Sequence, residues 1–180
     1  MSFSRFDFPA AISACLIIIA GIIASSQTSF AQNTPASAER VRGGILDASD
    51  ANRLSRFMTS LGYQADMATG PAGDPIISGR ISSSDYTIHF YECENGEFCN
   101  SIQFLADTPI PPAMTMEKVN AFNARWRYVR ASLTSNVVRL QMDVNLDGGV
   151  TAGNIEDTLD IWRRLLETYE TEFAAQAPAD

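Results

Sequence analysis

Histidine is almost missing from this chain: His89 is the only one in 180 residues. That scarcity removes most of the acid–base and metal chemistry that imidazoles supply. No Gly-x-Ser-x-Gly elbow presents a serine nucleophile. No glycine-rich loop followed by lysine could cradle phosphates, and no Gly-x-Gly-x-x-Gly fingerprint opens a dinucleotide fold. Basic residues are few as well, 13 Lys and Arg against 21 Asp and Glu, for a net charge of −8, and no cluster of them stands out. Nonspecific nucleic-acid binding and docking on anionic lipid both need such clusters, so neither kind of partner is expected. The chain shows no internal repeat of solenoid period. Its one long apolar run, Ala10 to Ala24, falls short of the roughly 20 residues a membrane-spanning helix needs.

What is present is enough for one packed domain. The hydrophobic fraction is 46%, and 180 residues is an ordinary single-domain length. The apolar run follows a weakly positive start at Arg5. Ser29-Phe30-Ala31 then places small residues at the −3 and −1 positions of a cleavage site. The sequence therefore predicts a signal peptide over residues 1–31, cleaved before Gln32, and a periplasmic or secreted protein with no membrane attachment. Retention of the segment as an anchor is the alternative. Ile12-Ser13-Ala14-Cys15 looks like a lipoprotein box, but Leu16 to Ile23 follows the cysteine instead of preceding it. Cys15 therefore belongs to the apolar core of the signal.

Export leaves Cys93 and Cys99, an even pair close in sequence, which predicts a disulfide in an oxidising compartment. Glu94-Asn95-Gly96-Glu97 between them is a hairpin signal. A two-residue Asn-Gly turn would set Cys93 opposite Phe98, so the bridge implies a longer or bulged turn. His89, Cys93 and Cys99 would make three zinc ligands where a closed structural site wants four. A His89–Cys93 base–nucleophile pair would need Cys93 free. The expectation is a non-catalytic protein without a cofactor.

Along the mature chain, residues 32–44 read as a flexible lead-in, 45–175 as the domain and 176–180 as a disordered tail. Leu54, Phe57, Met58 and Leu61 form a helical stripe over about Asp50 to Leu61, capped by Asp47 or Ser49 and stopped at Gly62. Tyr63 to Thr69, Ile76 to Ile81, Tyr86 to Cys93 and Phe98 to Leu105 read as strands. Thr108-Pro109-Ile110-Pro111-Pro112 breaks the ladder, because proline lacks the N–H. Thr115 caps a second helix with Val119, Phe122 and Trp126 inward. Tyr128 to Leu133 fits either a strand or a continuation of that helix. Val137 to Val144 alternates, with Val138, Leu140, Met142 and Val144 on one face and Arg139, Gln141 and Asp143 on the other. The last helix starts at Thr151 or Asn154 and carries the stripe Ile155, Leu159, Trp162, Leu165, Leu166, Tyr169 and Phe173. The predicted fold class is α+β: an antiparallel sheet of about five strands with helices on one face, in the order α-β-β-β-(β)-α-β-β-α.

Asp143 to Thr151 has two readings. As a calcium loop, it spaces Asp143, Asn145, Asp147 and Thr151 as oxygen ligands around Gly148, but its twelfth position is Asn154 where Glu is the rule. As a structural corner, Gly148 and Gly149 turn the chain from the strand into the last helix.

Three ordered stretches resemble the YbjN family, bacterial proteins labelled sensory transduction regulators. They are Tyr91-Glu92-Cys93 to Cys99-Asn100-Ser101-Ile102-Gln103-Phe104, then Val119-Asn120-Ala121-Phe122-Asn123 through Arg127-Tyr128-Val129-Arg130-Ala131, and last Leu140-Gln141-Met142-Asp143 with Gly148-Gly149-Val150-Thr151 and Asn154-Ile155. The resemblance covers roughly Leu46 to Phe173. One departure is Phe122, where relatives often carry Trp. The resemblance implies a fold similar to type III secretion chaperones, with no catalytic residue and no cofactor. It implies regulation, stress tolerance or chaperone-like binding of a protein or peptide partner, and by fold analogy a possible homodimer. In the family Gly-Gly is the turn into the last helix, which favours the structural reading of Gly148 and Gly149. The expected function is thus an exported, non-catalytic binding or regulatory module, and the alternative is a secreted calcium-binding protein.

Overall fold

The computed structural model describes residues 44–173; the expected signal peptide, nearly all of the expected lead-in and the expected tail from 176 lie outside them. In chain order the elements are β1 (Ile45–Leu46), α1 (Ala51–Ser60), β2 (Asp66–Thr69), β3 (Pro75–Ile81), β4 (Ser84–Tyr91), β5 (Ser101–Pro109), α2 (Met116–Arg125), β6 (Arg130–Leu133), β7 (Val137–Asn145), β8 (Val150–Thr151) and α3 (Ala152–Glu172). Six strands form one sheet in the order β2-β3-β4-β5-β7-β6, each neighbouring pair antiparallel. β1 and β8 pair as a separate two-stranded ribbon. The class is α+β, as expected.

Alternation along the strands sorts the sheet into two faces. On β4, Ser84, Tyr86, Ile88 and Phe90 are buried while Asp85, Thr87, His89 and Tyr91 are not. On β7, Val138, Leu140 and Met142 are buried between Arg139, Gln141 and Asp143. The helices lie on the apolar side. Trp162 of α3 is wholly buried there, its ring 6.4 Å from Tyr86 and 5.4 Å from Phe104. Tyr169 donates to the Val138 carbonyl at 2.6 Å, and Phe173 stacks on Phe122 of α2 at 5.0 Å.

Local chemistry explains most boundaries. Asp50, not Asp47 or Ser49, caps α1 by accepting from the Asn52 amide at 2.9 Å; Asp47 is occupied by the Ser49 amide and hydroxyl, at 3.1 and 2.6 Å. Thr115 and Thr151 cap α2 and α3. β5 outlasts the expected strand and ends on Pro109 opposite Val137, a terminal rung where a missing N–H breaks no interior ladder. Residues 130–133 are a strand, because Trp126 is already extended and Tyr128 reverses the chain at φ +66°. That strand is the sheet edge, and β7 lies one place inside it.

The cysteine hairpin resolves the conflict between turn and bridge. Asn95 and Gly96 take φ +55° and +80°, and Glu94 and Glu97 exchange both backbone hydrogen bonds, so the turn has two residues. Phe98 then adopts φ +52° and stands outside the register, which resumes at Tyr91 opposite Ser101. This extra residue brings Cys99 opposite Cys93, and the two are disulfide-bonded.

The edge strand β6 is sealed by one side chain. Asn123 of α2 accepts from the Ala131 amide at 2.7 Å and donates to the Ala131 carbonyl at 2.9 Å, filling the groups that would otherwise invite another strand. Asn123→Ala removes both hydrogen bonds and, at about 0.5–1.5 kcal/mol each, should cost about 1–3 kcal/mol. Urea denaturation measures this, and an equally stable variant would contradict the seal.

Candidate functional site

The sheet face opposite the helices is the candidate site. It is a shallow concavity of about 760 Å³ whose lining includes Ser78, Thr87, His89, Gln103, Asp107 and Arg139. Antiparallel register places these side chains in rows across the strands. His89 stands beside Gln103, and Gln103 beside Asp143; Leu105 stands beside Gln141, and Gln141 beside Arg130.

Gln103 is the hub. It is only 7% exposed although it points to the uncovered side. Its amide oxygen accepts from Gln141 Nε2 at 2.9 Å and from the Tyr91 hydroxyl at 3.3 Å, and its Nε2 donates to Asp143 Oδ1 at 2.5 Å. Arg130 completes the network, reaching Asp143 Oδ2 and, at 3.3 Å, Gln141 Oε1. Arg139 grips Asp107 with two parallel bonds of 2.8 and 2.7 Å. Fixed, mutually satisfied polar groups make a surface that binds without much side-chain ordering.

His89 Nε2 lies 2.9 Å from Thr87 Oγ1. Burial, and secondarily the nearby Arg139 guanidinium, hold its pKa below the usual 6.5. The folded protein therefore binds this proton less readily than the unfolded chain. Its contribution is fully present above pH 6.5 and is lost as pH falls below that value. His89→Gln should flatten the dependence of stability on pH in that window, checked by urea midpoints on both sides of it; an unchanged slope would contradict the assignment.

Of the residues spaced as a calcium loop, Asp143 is engaged across the sheet, while Asn145 and Thr151 make hydrogen bonds within the loop itself. Asp143 serves Gln103 and Arg130; Asn145 Oδ1 accepts from the Asp147 amide at 2.9 Å; Thr151 Oγ1 accepts from the Asn154 amide at 3.2 Å. Among the described residues no three His, Cys, Asp or Glu side chains gather as a metal-binding group. Gly148 and Gly149 make the corner at φ +76° and +82°, and a Cβ on Gly149 would stand 2.5 Å from Ile45 Cγ2 of β1. His89 and Cys93 do not form a reactive pair, since Cys93 is bonded to Cys99. Sequence reasoning passed over Gln103, Gln141, Arg130 and Tyr91 as a unit. The available signal was a lone polar residue, Gln103, inside the apolar run Ile102 to Leu105.

Fold and site together define a one-sided α+β protein: a six-stranded antiparallel sheet, helices on one face, and a linked polar surface on the other. The chain belongs to the YbjN family, whose model, "Putative bacterial sensory transduction regulator", matches residues 50–175. Among solved structures, the crystal structure of YbjN, "a putative transcription regulator from E. coli", is similar with a TM-score of 0.52 and 13% identity, over 72% of this chain and 97% of that one. At that identity the likeness concerns the fold alone. No curated protein matches.

Proposed function

We propose that this protein is an exported, non-catalytic regulatory module that holds a protein or peptide partner on the open sheet face. The observation that carries the reading is the one-sided sheet. Helices seal one face, and the other keeps a polar network spanning four strands around a nearly buried Gln103. A surface this broad and already satisfied suits a macromolecular partner better than a small substrate, which enclosed apolar pockets favour. The net charge of −8 argues for a partner other than nucleic acid. The Cys93–Cys99 bridge fits an oxidising compartment, which supports the periplasmic or secreted location.

A photo-reactive amino acid placed at Thr87, on the open face, should capture a discrete partner in native cells, whereas the same group at Arg56 on α1 should not. Adducts from Arg56 alone would refute the assignment of the face. Alkylation and intact mass of the protein from its native compartment test the location. Both cysteines should be blocked before reduction, and two alkylated cysteines in unreduced protein would count against export.

A further inference from the structure

Between the α2–β6 connection and α3 lies a second concavity, of about 370 Å³. Ile161, Arg164, Leu165 and Thr168 line it from α3 at the spacing of one helical stripe, and Trp126 and Tyr128 line it from the connection. Its floor is apolar. Its rim holds Arg125, Arg127 and Arg164, a concentration of positive charge in a chain whose net charge is −8. The sequence hides this patch, because Arg164 joins the other two only when α3 packs alongside.

The arginines differ in what they already do. Arg125 is paired with Glu172, and Arg164 with Asp160 at 3.2 Å. Arg127 has no carboxylate partner among the described residues. Its guanidinium lies 5.0 Å from the Tyr128 ring centre, and its one hydrogen bond, at 3.5 Å, reaches the Tyr128 hydroxyl. Tyr128 is 63% exposed and held at φ +66°, a conformation an aromatic residue adopts only when the surroundings impose it. On the far side of Tyr128 and Ile161 the lining changes sign. A neighbouring cleft of about 360 Å³ presents Asp143 and Asp157.

We propose that this groove docks a segment of a partner protein carrying a carboxylate beside a bulky apolar side chain. The carboxylate meets the Arg127 guanidinium fork, the apolar side chain rests on Trp126 and Leu165, and the segment crosses Tyr128 with a basic residue toward Asp157. Charge complementarity selects this occupant. A guanidinium without a carboxylate presents two parallel donors that fit one bidentately. The acidic cleft next door and the overall negative charge disfavour an anionic bilayer, whose field acts over the whole surface. The groove is separate from the open sheet face and does not depend on what binds there.

The test is selection from a random dodecapeptide display library on the full exported chain. Enriched peptides should share Asp or Glu next to an aromatic or aliphatic residue. Arg127→Ala should weaken the best peptide by roughly tenfold or more, the size of one lost charge-assisted contact, and Tyr128→Ala should also weaken it, through the lost ring contact. Arg127→Lys should restore only part of the loss, and Arg56→Ala, on α1, should leave binding unchanged. Melting temperatures of the variants near the wild-type value exclude misfolding as the cause. No enrichment, enrichment of neutral or basic sequences, or binding indifferent to Arg127 and Tyr128 would overturn the proposal. So would Arg127-dependent binding to phosphatidylglycerol vesicles in place of acidic peptides.

Discussion

Alanine at position 79 should strip the protein of a large share of its stability. Gly79 of β3 lies opposite Tyr86 of β4, and Tyr86 reaches past it to donate to the Gln64 carbonyl at 2.8 Å. A Cβ at Gly79 would fall well inside contact distance of that carbonyl and 2.7 Å from the Tyr86 hydroxyl oxygen. Neither neighbour can yield cheaply. Gln64 presents backbone, and Tyr86 is 2% exposed in the core beside Trp162. Overpacking costs about 1–3 kcal/mol, and forfeiting the buried hydrogen bond adds about 1–3 more. Together, about 2–6 kcal/mol is a large share of the stability of a domain, about 5–15 kcal/mol. Urea denaturation followed by circular dichroism should show a large fall in midpoint for Gly79→Ala. Ser78→Ala, one residue away on the open face, should stay within about 0.5 kcal/mol of wild type. A Gly79→Ala protein as stable as wild type would mean that Tyr86 is not packed as described.

The second large effect is expected at Trp162. Trp162→Ala should cost about 3–5 kcal/mol, because it empties the space between Tyr86 and Phe104 under the sheet. Trp162→Phe should cost distinctly less than Trp162→Ala. Nε1 of Trp162 is buried with no hydrogen-bond partner among the described residues, so phenylalanine removes a donor that the fold leaves unsatisfied. Fluorescence provides a second readout. The chain has 2 tryptophans, so Trp162→Phe leaves the half-exposed Trp126 as sole emitter, and the emission should shift to the red. Equal losses for the phenylalanine and alanine variants would contradict this account of the indole.

Much of the fold was legible because its signals are short in range. The β7 alternation names the residues on each face, and the α1 and α3 stripes name their buried sides. Thr115 and Thr151 announce helix starts through hydrogen bonds only three residues long. The cap of α1 was misjudged by a residue or more because Asp47, Ser49 and Asp50 can all accept from a nearby amide; the competing Asp47–Ser49 turn decides among them. The candidate site was only partly legible. Arg139, Gln141 and Asp143 could be placed on one strand face, yet nothing in the sequence joins them to Gln103, which is 40 residues before Asp143.

The α+β class, the helix stripes and the strand faces are readable from the chain alone, because each follows from a period written into neighbouring residues. The pairing of Cys93 with Cys99 is expected from their even number and closeness after an export signal. Packing across the chain sets the place of β7 between β5 and β6, the bulge at Phe98 that lets the cysteines meet, and the contact of Asn123 with the sheet edge. It also decides that Arg164 crosses to Arg127, and that Asp143 turns to Arg130 and Gln103 instead of to its loop. These depend on which distant segments pair and in what register. That choice minimises the free energy of the whole core, so no window of the chain contains it.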